Sequence, residues 1–229
     1  MELKQKELMA DLAQPENNIF QNANSAFEYY FNAIMTDGIM RNGTMTLFNQ
    51  GFYIANPLDN YITCDWRRWT PKYAEREWQW YLSGDRSVED IKKYAKIWDK
   101  MHNGDNIVNS NYGWLWSRNN QLQNCINELR SNPDTRRAYI TLYDGKEKAD
   151  YTYDTPCTLN VGFYILNNKL FMNVSMRSND LIYGFCNDQY AFSKLHEYVA
   201  NSLSIGVGHY YHYVVDFHIY SKHFNINKR

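Results

Sequence analysis

The sequence predicts an α+β fold built around a large mixed sheet with flanking helices. Two β-rich runs, residues 158–166 and 169–177, are joined by a short turn, and alternation continues over residues 210–220. An amphipathic helix over residues 187–203 lies between them. No internal repeat or linker interrupts the chain, so we expect one catalytic domain over residues 1–229, with residues 1–20 as an N-terminal extension made of a short helix and a loop.

Composition narrows the class of protein. The chain has 229 residues, 44% of them hydrophobic and 21% charged, which is typical of a folded protein with a substantial core. A net charge of −1 argues against binding a nucleic-acid polymer. No run approaches the roughly 18 apolar residues of a membrane span. The N-terminus has no secretory signal, so we expect a cytoplasmic protein.

Capping residues and hydrophobic periodicity predict helices in the first part of the chain. Thr70 is a candidate N-cap, Pro71 suits the first turn, and Gly84 would close that helix. Further helices are predicted over Asp90–Trp98 and over about residues 119–130.

Strand signals organise the second part. Residues 138–143 alternate like a strand, and Asn167-Asn168 is a good two-residue hairpin turn. If residue 166 pairs with 169, Cys157 lies across from Ser178 and Thr158 across from Arg177. A slip of one residue would still leave a cysteine beside an arginine–serine pair.

The final strand is predicted to carry polar chemistry on one face. Alternation places Asp216, His218 and Tyr220 together, opposite the face that holds Tyr211, Tyr213, Val215, Phe217 and Ile219.

Cys157 is the candidate nucleophile. The neighbouring Arg177 would lower its thiol pKa and raise the thiolate fraction, and the thiolate is the reactive form. The alternative is that Cys157 is a small buried hydrophobe. The cysteines lie apart, without a C-x-x-C pair, which fits reduced thiols.

Arginines and one glutamate are the other candidates. Arg41, the Arg136-Arg137 pair and Arg177 suit a phosphate monoester, although surface arginines are often without a specific role. Glu77 adjoins several aromatic residues, which could raise its carboxyl pKa for proton transfer; the alternative is a solvated glutamate on a helix surface.

An ordered series of motifs resembles the thymidylate synthases and their pyrimidine hydroxymethylase relatives over about residues 25–225. The blocks that carry the resemblance are Arg41-Asn-Gly-Thr, Glu77-Trp-Gln-Trp-Tyr-Leu-Ser-Gly, Asn111-Tyr-Gly-Trp, Asn132-Pro-Asp-Thr-Arg-Arg, Pro156-Cys157, Arg177-Ser-Asn-Asp180 and Asp216-Phe-His-Ile-Tyr220.

The resemblance implies a role for each candidate. Cys157 would attack C6 of the pyrimidine, with Glu77 moving protons and Tyr112 as a further catalytic residue. The resemblance implies that the remaining candidates bind phosphate (Arg41, Arg177, Ser178, and Arg136 and Arg137 from a partner subunit), the sugar 3′-hydroxyl (His218, Tyr220) and folate (Trp80, Asp180). It also implies a three-layer α/β arrangement, a homodimer formed through a sheet face, 5,10-methylenetetrahydrofolate as co-substrate, and no metal.

One position departs from the thymidylate synthase pattern. Where those enzymes have an asparagine that recognises uracil, aligning Gly184 places Asp188. An ionised carboxylate only accepts hydrogen bonds, which suits the cytosine amine and opposes the uracil carbonyl. Asp188 could also stabilise a proton on N3 during thiolate addition. A slip of one residue would instead place Asn187 there and restore a uracil reader.

The departure favours the phage deoxycytidylate hydroxymethylase branch of the family, and Thr158 after the cysteine resembles that branch too. The expected reaction converts dCMP into 5-hydroxymethyl-dCMP, for synthesis of modified phage DNA precursors in a host cytoplasm. Alternatives are thymidylate synthase, dUMP hydroxymethylase and dCMP methylase. Other classes are a retired nucleotide- or RNA-binding relative and a metal enzyme using His209, His212, His218 and His223.

Overall fold

A seven-stranded mixed sheet forms the centre of the protein in a computed structural model, which describes residues 18–102, 104–145 and 153–228. The strands are β1 (Asn18–Phe20), β2 (Ile39–Arg41), β3 (Thr44–Ile54), β4 (Tyr139–Thr141), β5 (Thr158–Leu166), β6 (Lys169–Asp180) and β7 (Gly206–Tyr220). Their order is β1-β3-β7-β6-β5-β4, and β2 pairs with β3. The β6–β7 and β1–β3 pairs are parallel and the others antiparallel, so the expected mixed sheet is confirmed.

Five α-helices accompany the sheet in the described residues. They are α1 (Ala23–Asp37), α2 (Pro71–Ser83), α3 (Tyr112–Ser117), α4 (Gln121–Ser131) and α5 (Cys186–Leu203). Helix α2 begins and ends as predicted: Pro71 occupies the first turn and Gly84 follows with φ 62°, although the Thr70 side chain makes no capping bond. Helix α5 matches the predicted amphipathic helix and starts one residue earlier.

Two predictions for the first half of the chain are wrong. The predicted helix at Asp90–Trp98 is a pair of short 3₁₀ turns, Ile91–Lys93 and Lys96–Lys100, since the chain between them turns extended at Ala95. In the N-terminal extension, residues 1–17 lie outside the described part. Residues 18–20 form β1, parallel to β3, rather than a helix or loop.

The β5–β6 hairpin has the predicted register over most of its length. Leu166 pairs with Lys169, and both turn residues, Asn167 and Asn168, adopt positive φ. A bulge between Thr158 and Asn160 then shifts the pairing by one residue. The predicted Thr158–Arg177 pairing is therefore wrong. Thr158 pairs with Met176.

Strand β7 changes its buried face near its end. Buried side chains follow every second residue to Val214, and the next one inward is Phe217, an interval of three. Its ring lies 6.2 Å from the His212 ring. Opposite this point Asn49 of β3 has φ 54°, and no pairing is made to Val215. The prediction that Phe217 and Ile219 share a face with Tyr211 is therefore wrong.

Helices cover one face of the sheet, and the other face is half-exposed. On the covered face the β6 residues Leu170, Met172 and Val174 are buried. Alternate residues on the opposite face include half-exposed rings such as Tyr211 and Phe171. Within the described part of a single chain, the helices therefore form a layer on one sheet face and leave the opposite face half-exposed.

Candidate active site

Cys157 and Arg177 meet at the end of the β5–β6 hairpin. The Arg177 amide donates to the Cys157 carbonyl at 2.9 Å, and Arg177 Nη2 lies 3.7 Å from Cys157 Sγ. The guanidinium also donates to the carbonyls of Pro156 at 3.0 Å and Thr155 at 2.8 Å. Arg177 therefore holds the loop before the cysteine as well as facing its sulfur.

The thiol of Cys157 is protonated in the ligand-free protein. Burial raises its pKa to about 11, and the attraction of Arg177 only partly offsets this, while Asp188 and Asp154 raise it further. The expectation that Arg177 would lower the pKa below its ordinary value is therefore wrong, because desolvation outweighs the single cation. The thiolate has to form when substrate binds.

Glu77 is enclosed on helix α2. Its side chain is 6% exposed, and Tyr73 donates to it at 2.6 Å. Burial raises the pKa of Glu77 to about 7, although hydrogen bonds from Tyr73 and Tyr81 work in the opposite direction. The proposed proton-transfer group therefore titrates near neutral pH, as the aromatic surroundings in the sequence suggested.

Asp188 lies on the first turn of α5, among the other candidates. Burial raises its carboxyl pKa well above the ordinary value, and the nearby Glu77 raises it further. Asn179 Nδ2 donates to Asp188 Oδ2 at 2.7 Å. The neighbouring Asn187 is engaged elsewhere, since its side chain bonds Trp69 and the Tyr183 carbonyl. Of these two residues, Asp188 therefore lies beside Asn179, whereas the Asn187 side chain is bonded to Trp69 and Tyr183.

Tyr112 connects these groups. It begins helix α3, and its ring stacks on Tyr81 with centroids 5.3 Å apart. Burial raises its pKa well above the ordinary value, and the charges of Asp188 and Cys157 add to this effect. The phenol is therefore a neutral hydrogen-bonding group between the cysteine strand and the acidic helices.

The polar end of β7 has the face that alternation predicts. His218 Nδ1 lies 2.9 Å from Asp216 Oδ1, and the His218 and Tyr220 rings are 5.0 Å apart. Burial raises the pKa of the Tyr220 hydroxyl, with smaller contributions from Asp180 and Cys157. These groups lie at the Cys157 end of the sheet.

Arg41 belongs to the tight turn between β2 and β3. Asn42 and Gly43 have φ 46° and 79°, and the Thr44 hydroxyl donates to the Arg41 carbonyl at 2.7 Å. Thr44 pairs with Tyr220, so this turn borders the polar end of β7. The guanidinium is exposed and lies 5.7 Å from the Phe48 ring centroid.

The other phosphate candidates have different positions. Ser178 is half-buried and pairs with Asp216 across β6 and β7. Arg136 and Arg137 are both exposed, and Arg137 forms an ion pair with Glu128 at 2.8 Å. Their exposure is compatible with donation to another subunit.

The two folate candidates occupy unlike environments. Trp80 is 7% exposed, and its indole N–H donates to the Ser87 carbonyl at 3.0 Å. This core position argues against direct folate contact and corrects the prediction. The Asp180 carboxylate accepts the amides of Ile182 and Tyr183, one on each oxygen. Each oxygen keeps a lone pair for a further donor.

Four residues near the site were missed in the sequence. Trp98 donates to the Tyr73 hydroxyl at 2.9 Å, which extends the hydrogen-bond chain to Glu77. Asp154 accepts the Ser110 hydroxyl and the amides of Asn109 and Ser110, and thereby fixes the loop before Cys157. Tyr73 could have been found, because it lies one helical turn before Glu77. Asn179 and Asp154 gave no local signal.

The arrangement combines a cysteine thiol with two carboxyls whose pKa values are raised. A sulfur atom, a carboxyl that titrates near pH 7 and a second buried carboxyl adjoin a cationic and hydroxyl-rich rim. This set suits covalent addition to an electron-poor ring with proton transfer. Among the described residues no cluster of three metal-ligating side chains occurs, and none of the described helices has the length and apolarity of a membrane span.

Comparison with known proteins identifies the family. Residues 27–229 match the thymidylate synthase family model. Deoxycytidylate 5-hydroxymethyltransferase of phage T4 is 35% identical, over 67% of this chain and 68% of that protein. Thymidylate synthase 1 of Bacillus spizizenii is 26% identical, over 68% of this chain and 58% of that protein.

A solved structure supports the same fold. Thermostable thymidylate synthase A from Bacillus subtilis superposes with a TM-score of 0.76, covering 90% of this chain and 82% of that one at 22% identity. With a matching family model over most of the chain, an α+β architecture around a mixed sheet, and a cysteine set among acids and arginines, the protein belongs to the thymidylate synthase family of folate-dependent pyrimidine C5 transferases.

Proposed function

We propose that the protein is a deoxycytidylate 5-hydroxymethyltransferase. The reaction joins dCMP, 5,10-methylenetetrahydrofolate and water, and yields 5-hydroxymethyl-dCMP and tetrahydrofolate. The product would serve as a precursor of modified phage DNA, made in a host cytoplasm. The substrate is a pyrimidine deoxynucleoside monophosphate, and no nucleic-acid polymer or membrane is required.

The observation that carries this proposal is the position of Asp188. A carboxyl rather than an amide lies in the acidic pocket with Glu77 and near Cys157. Cytosine differs from uracil by presenting an amine in place of a carbonyl, and a carboxyl oxygen accepts from that amine. The similarity to the T4 phage enzyme supports the same substrate.

The high pKa of Asp188 changes how this residue would distinguish cytosine from uracil. The sequence argument assumed an ionised carboxylate, which only accepts hydrogen bonds. Burial and the nearby Glu77 instead favour the protonated acid, which donates from one oxygen and accepts at the other. A protonated Asp188 can donate to N3 of cytosine and accept from the exocyclic amine, and it can stabilise the electron density that arrives when sulfur adds at C6.

The residues of the chain then divide the chemistry. Cys157 loses its proton and bonds to C6, which makes C5 nucleophilic. The folate co-substrate supplies the one-carbon unit that C5 receives. Glu77 exchanges protons with groups on the ring and with the water that completes the hydroxymethyl group, and release of the C5 proton and of Cys157 restores the aromatic ring.

The rim groups would bind the substrate away from the reacting atoms. Arg41, Arg177 and Ser178 suit the 5′-phosphate, and His218 and Tyr220 suit the sugar hydroxyl. For the folate, Asp180 keeps acceptor capacity for the N–H groups of a pterin ring.

A homodimer through the half-exposed sheet face is part of the proposal. That face carries paired rings: Tyr164 stacks on Phe171 with centroids 5.0 Å apart, and Tyr53 and Tyr211 lie tilted to each other at 4.7 Å. Aromatic faces of this kind are typical of subunit interfaces. A second copy would supply the third layer and would bring exposed Arg136 and Arg137 to the neighbouring site.

Product analysis tests the proposal. The enzyme is incubated with methylenetetrahydrofolate and either dCMP or dUMP in ¹⁸O-labelled water, and the products are identified by mass spectrometry. We expect 5-hydroxymethyl-dCMP that carries one ¹⁸O, with tetrahydrofolate released. A methylated product with dihydrofolate would instead indicate thymidylate synthase or dCMP methylase, and hydroxymethyl-dUMP would indicate the dUMP hydroxymethylase. Nucleotide binding without turnover would indicate a retired binding protein.

Base specificity has its own test. In Asp188→Asn the ratio of kcat/KM for dCMP to that for dUMP should fall by about 10- to 100-fold, equivalent to one or two hydrogen bonds. Asn187→Asp is the matched control, because it adds a carboxyl one residue away and should leave the ratio within about twofold. An unchanged ratio in Asp188→Asn, or a shift in the control alone, would refute Asp188 as the base reader.

A further inference from the structure

The contact between Asn179 and Asp188 has consequences for base recognition beyond the presence of an acid. Asn179 is 2% exposed, and its Nδ2 lies 2.7 Å from Asp188 Oδ2. Its amide oxygen is buried without a hydrogen-bond partner in the described structure. Leaving an amide oxygen unpaired in a buried place is unfavourable, so the bond to Asp188 fixes a side chain that would otherwise gain by turning toward water.

The backbone on both sides is shaped to allow this contact. In β6 the buried side chains follow every second residue to Met176, and the next one inward is Asn179. This change of phase turns Asn179 toward helix α5. At Gly184 a Cβ atom would lie 2.7 Å from Asn179 Nδ2 and 3.3 Å from Asp188 Oδ2. A side chain at that position would clash with both atoms of the hydrogen bond, so the glycine leaves the space that the amide and the carboxyl need.

The direction of the bond decides which carboxyl oxygen carries the proton. The carbonyl oxygen of a neutral acid is a stronger acceptor than its hydroxyl oxygen, so the amide N–H of Asn179 favours Oδ2 as the unprotonated oxygen. The proton of Asp188 then resides on Oδ1. Without this partner, either oxygen could carry the proton, and the acid could present its donor and acceptor in either order.

The order of donor and acceptor is what separates the two bases. Cytosine presents an acceptor at N3 beside a donor at its amine, and uracil presents a donor at N3 beside an acceptor at O4. A neutral acid that can exchange its two oxygens matches both bases, whereas one with a fixed proton matches only one of them. Discrimination therefore requires that something hold the proton on one oxygen.

We propose that Asn179 is a specificity-determining positioning residue, which fixes the donor–acceptor order of Asp188 through the Nδ2–Oδ2 hydrogen bond in the space left by Gly184. The inference rests on the proposed reading of the base by Asp188. It goes beyond that reading because it assigns the selection of cytosine over uracil to the pair rather than to the acid alone.

The direct test is Asn179→Asp, which is nearly isosteric and replaces the donor by an acceptor. An ionised carboxylate at 179 accepts a hydrogen bond from a protonated Oδ2 of Asp188, so Oδ1 becomes the acceptor and the order on Asp188 is reversed. The ratio of dCMP to dUMP dissociation constants, measured by calorimetry with each nucleotide alone, should move toward dUMP by about tenfold or more. The ratio of kcat/KM values should move in the same direction.

A second variant and a control separate recognition from loss of structure. Gly184→Ala should displace Asn179 and shift both ratios in the same direction by a smaller factor. Ser193→Ala removes a buried hydroxyl that bonds the Gln189 carbonyl on the same helix, and it should lower thermal stability without changing the ratios. If Asn179→Asp does not fold, Gly184→Ala decides the question.

The outcomes keep the two proposals apart. If the unmodified enzyme forms no product from dCMP, the proposed reaction fails, while the binding ratios still report on Asn179. If Asn179→Asp or, in its place, Gly184→Ala leaves the binding ratio within twofold of the unmodified protein, Asn179 does not set the order and this inference is wrong.

Discussion

The two walls of the site differ in how they acquire their chemistry. The sheet wall, with Cys157, Arg177 and His218, arises from strand pairing, which sets neighbouring residues side by side. The helix wall brings Glu77 and Asp188 together from helices far apart in sequence, and burial raises the pKa of both. The sheet wall therefore positions reactive groups, whereas the helix wall determines their protonation states.

The Cys157 thiol lies between the two walls, and its pKa reflects both of them. Arg177 contacts Cys157, but burial against the helix wall raises the thiol pKa to about 11. An arginine in contact with sulfur is therefore not enough to make a thiolate. Substrate binding has to change the balance, since the phosphate and base replace part of the site's water and engage the acids.

The largest effect is expected at the sheet wall. Cys157→Ser keeps the shape of the site but replaces sulfur by a much weaker nucleophile, so turnover should fall by a factor on the order of 10³ or more. Nucleotide affinity by calorimetry should change by less than about threefold. Cys125→Ser, at a buried cysteine outside the site, is the control. If Cys157→Ser retains activity, Cys157 is not the nucleophile.

Glu77→Gln tests the helix wall. Loss of a proton-transfer group should lower kcat by about 10²- to 10⁴-fold. The pH profile of kcat/KM should contain an inflection near pH 7, from the Glu77 carboxyl, which Glu77→Gln lacks. A profile of the same shape in both proteins would show that another group titrates there.

Stability provides an independent measurement of the same carboxyl. Its folded-state pKa of about 7 lies above the ordinary value of 4.5, so the folded protein binds more protons than the unfolded chain between these pH values. Folding therefore loses stability as pH rises through this window. The melting temperature of Glu77→Gln, relative to that of the unmodified protein, should therefore rise between pH 4.5 and pH 8. A constant difference across that range would contradict the raised pKa.

Arg177→Lys tests whether the sheet wall needs a guanidinium fork. A lysine keeps the charge, but its single nitrogen cannot occupy both the Nε and the Nη2 positions, from which the guanidinium donates to the Pro156 and Thr155 carbonyls. We expect KM for the nucleotide to rise about tenfold. Arg130→Lys is the control, because Arg130 also donates to a carbonyl, that of Ser202, at an exposed place. If both variants raise KM equally, the guanidinium group of Arg177 has no specific role in binding the nucleotide.

The smallest effect is expected from Tyr73→Phe. The Tyr73 hydroxyl lowers the pKa of Glu77, so its removal should move the inflection to higher pH, by less than about one unit. Tyr190→Phe removes a similar bond to Glu75 outside the site and should leave the profile unchanged. A shift to lower pH in Tyr73→Phe would contradict the described network.

Local rules predicted the sheet wall well. Hairpin turn chemistry correctly paired Leu166 with Lys169 and placed Cys157 beside Arg177, because both depend on neighbours in the chain. Register failed at the bulge, which no local signal marks. The prediction that every second residue of β7 is buried does not hold beyond Val214. There the facing residue Asn49 adopts a left-handed backbone conformation, and the buried side chains then follow a shifted set of positions.

The helix wall was less predictable. Motifs supplied Glu77 and Asp188, but their protonation depends on burial by segments distant in sequence. For the same reason Asn179 was missed, since its role depends on the approach of helix α5 and on a missing Cβ atom. The resemblance implies a folate contact for Trp80, whereas helix α2 turns this residue into the core and Trp98 joins the Glu77 network instead.

Covalent chemistry at the pyrimidine can be followed through the hydrogen on C5. The enzyme is incubated with methylenetetrahydrofolate and dCMP deuterated at C5, and the nucleotide is analysed by mass spectrometry over time. If Cys157 activates the ring for substitution at C5, deuterium is lost in step with formation of the hydroxymethyl product, and Cys157→Ser loses none. A one-carbon adduct that keeps the C5 deuterium, which would place the new group on another atom, or equal loss in Cys157→Ser, would contradict the account.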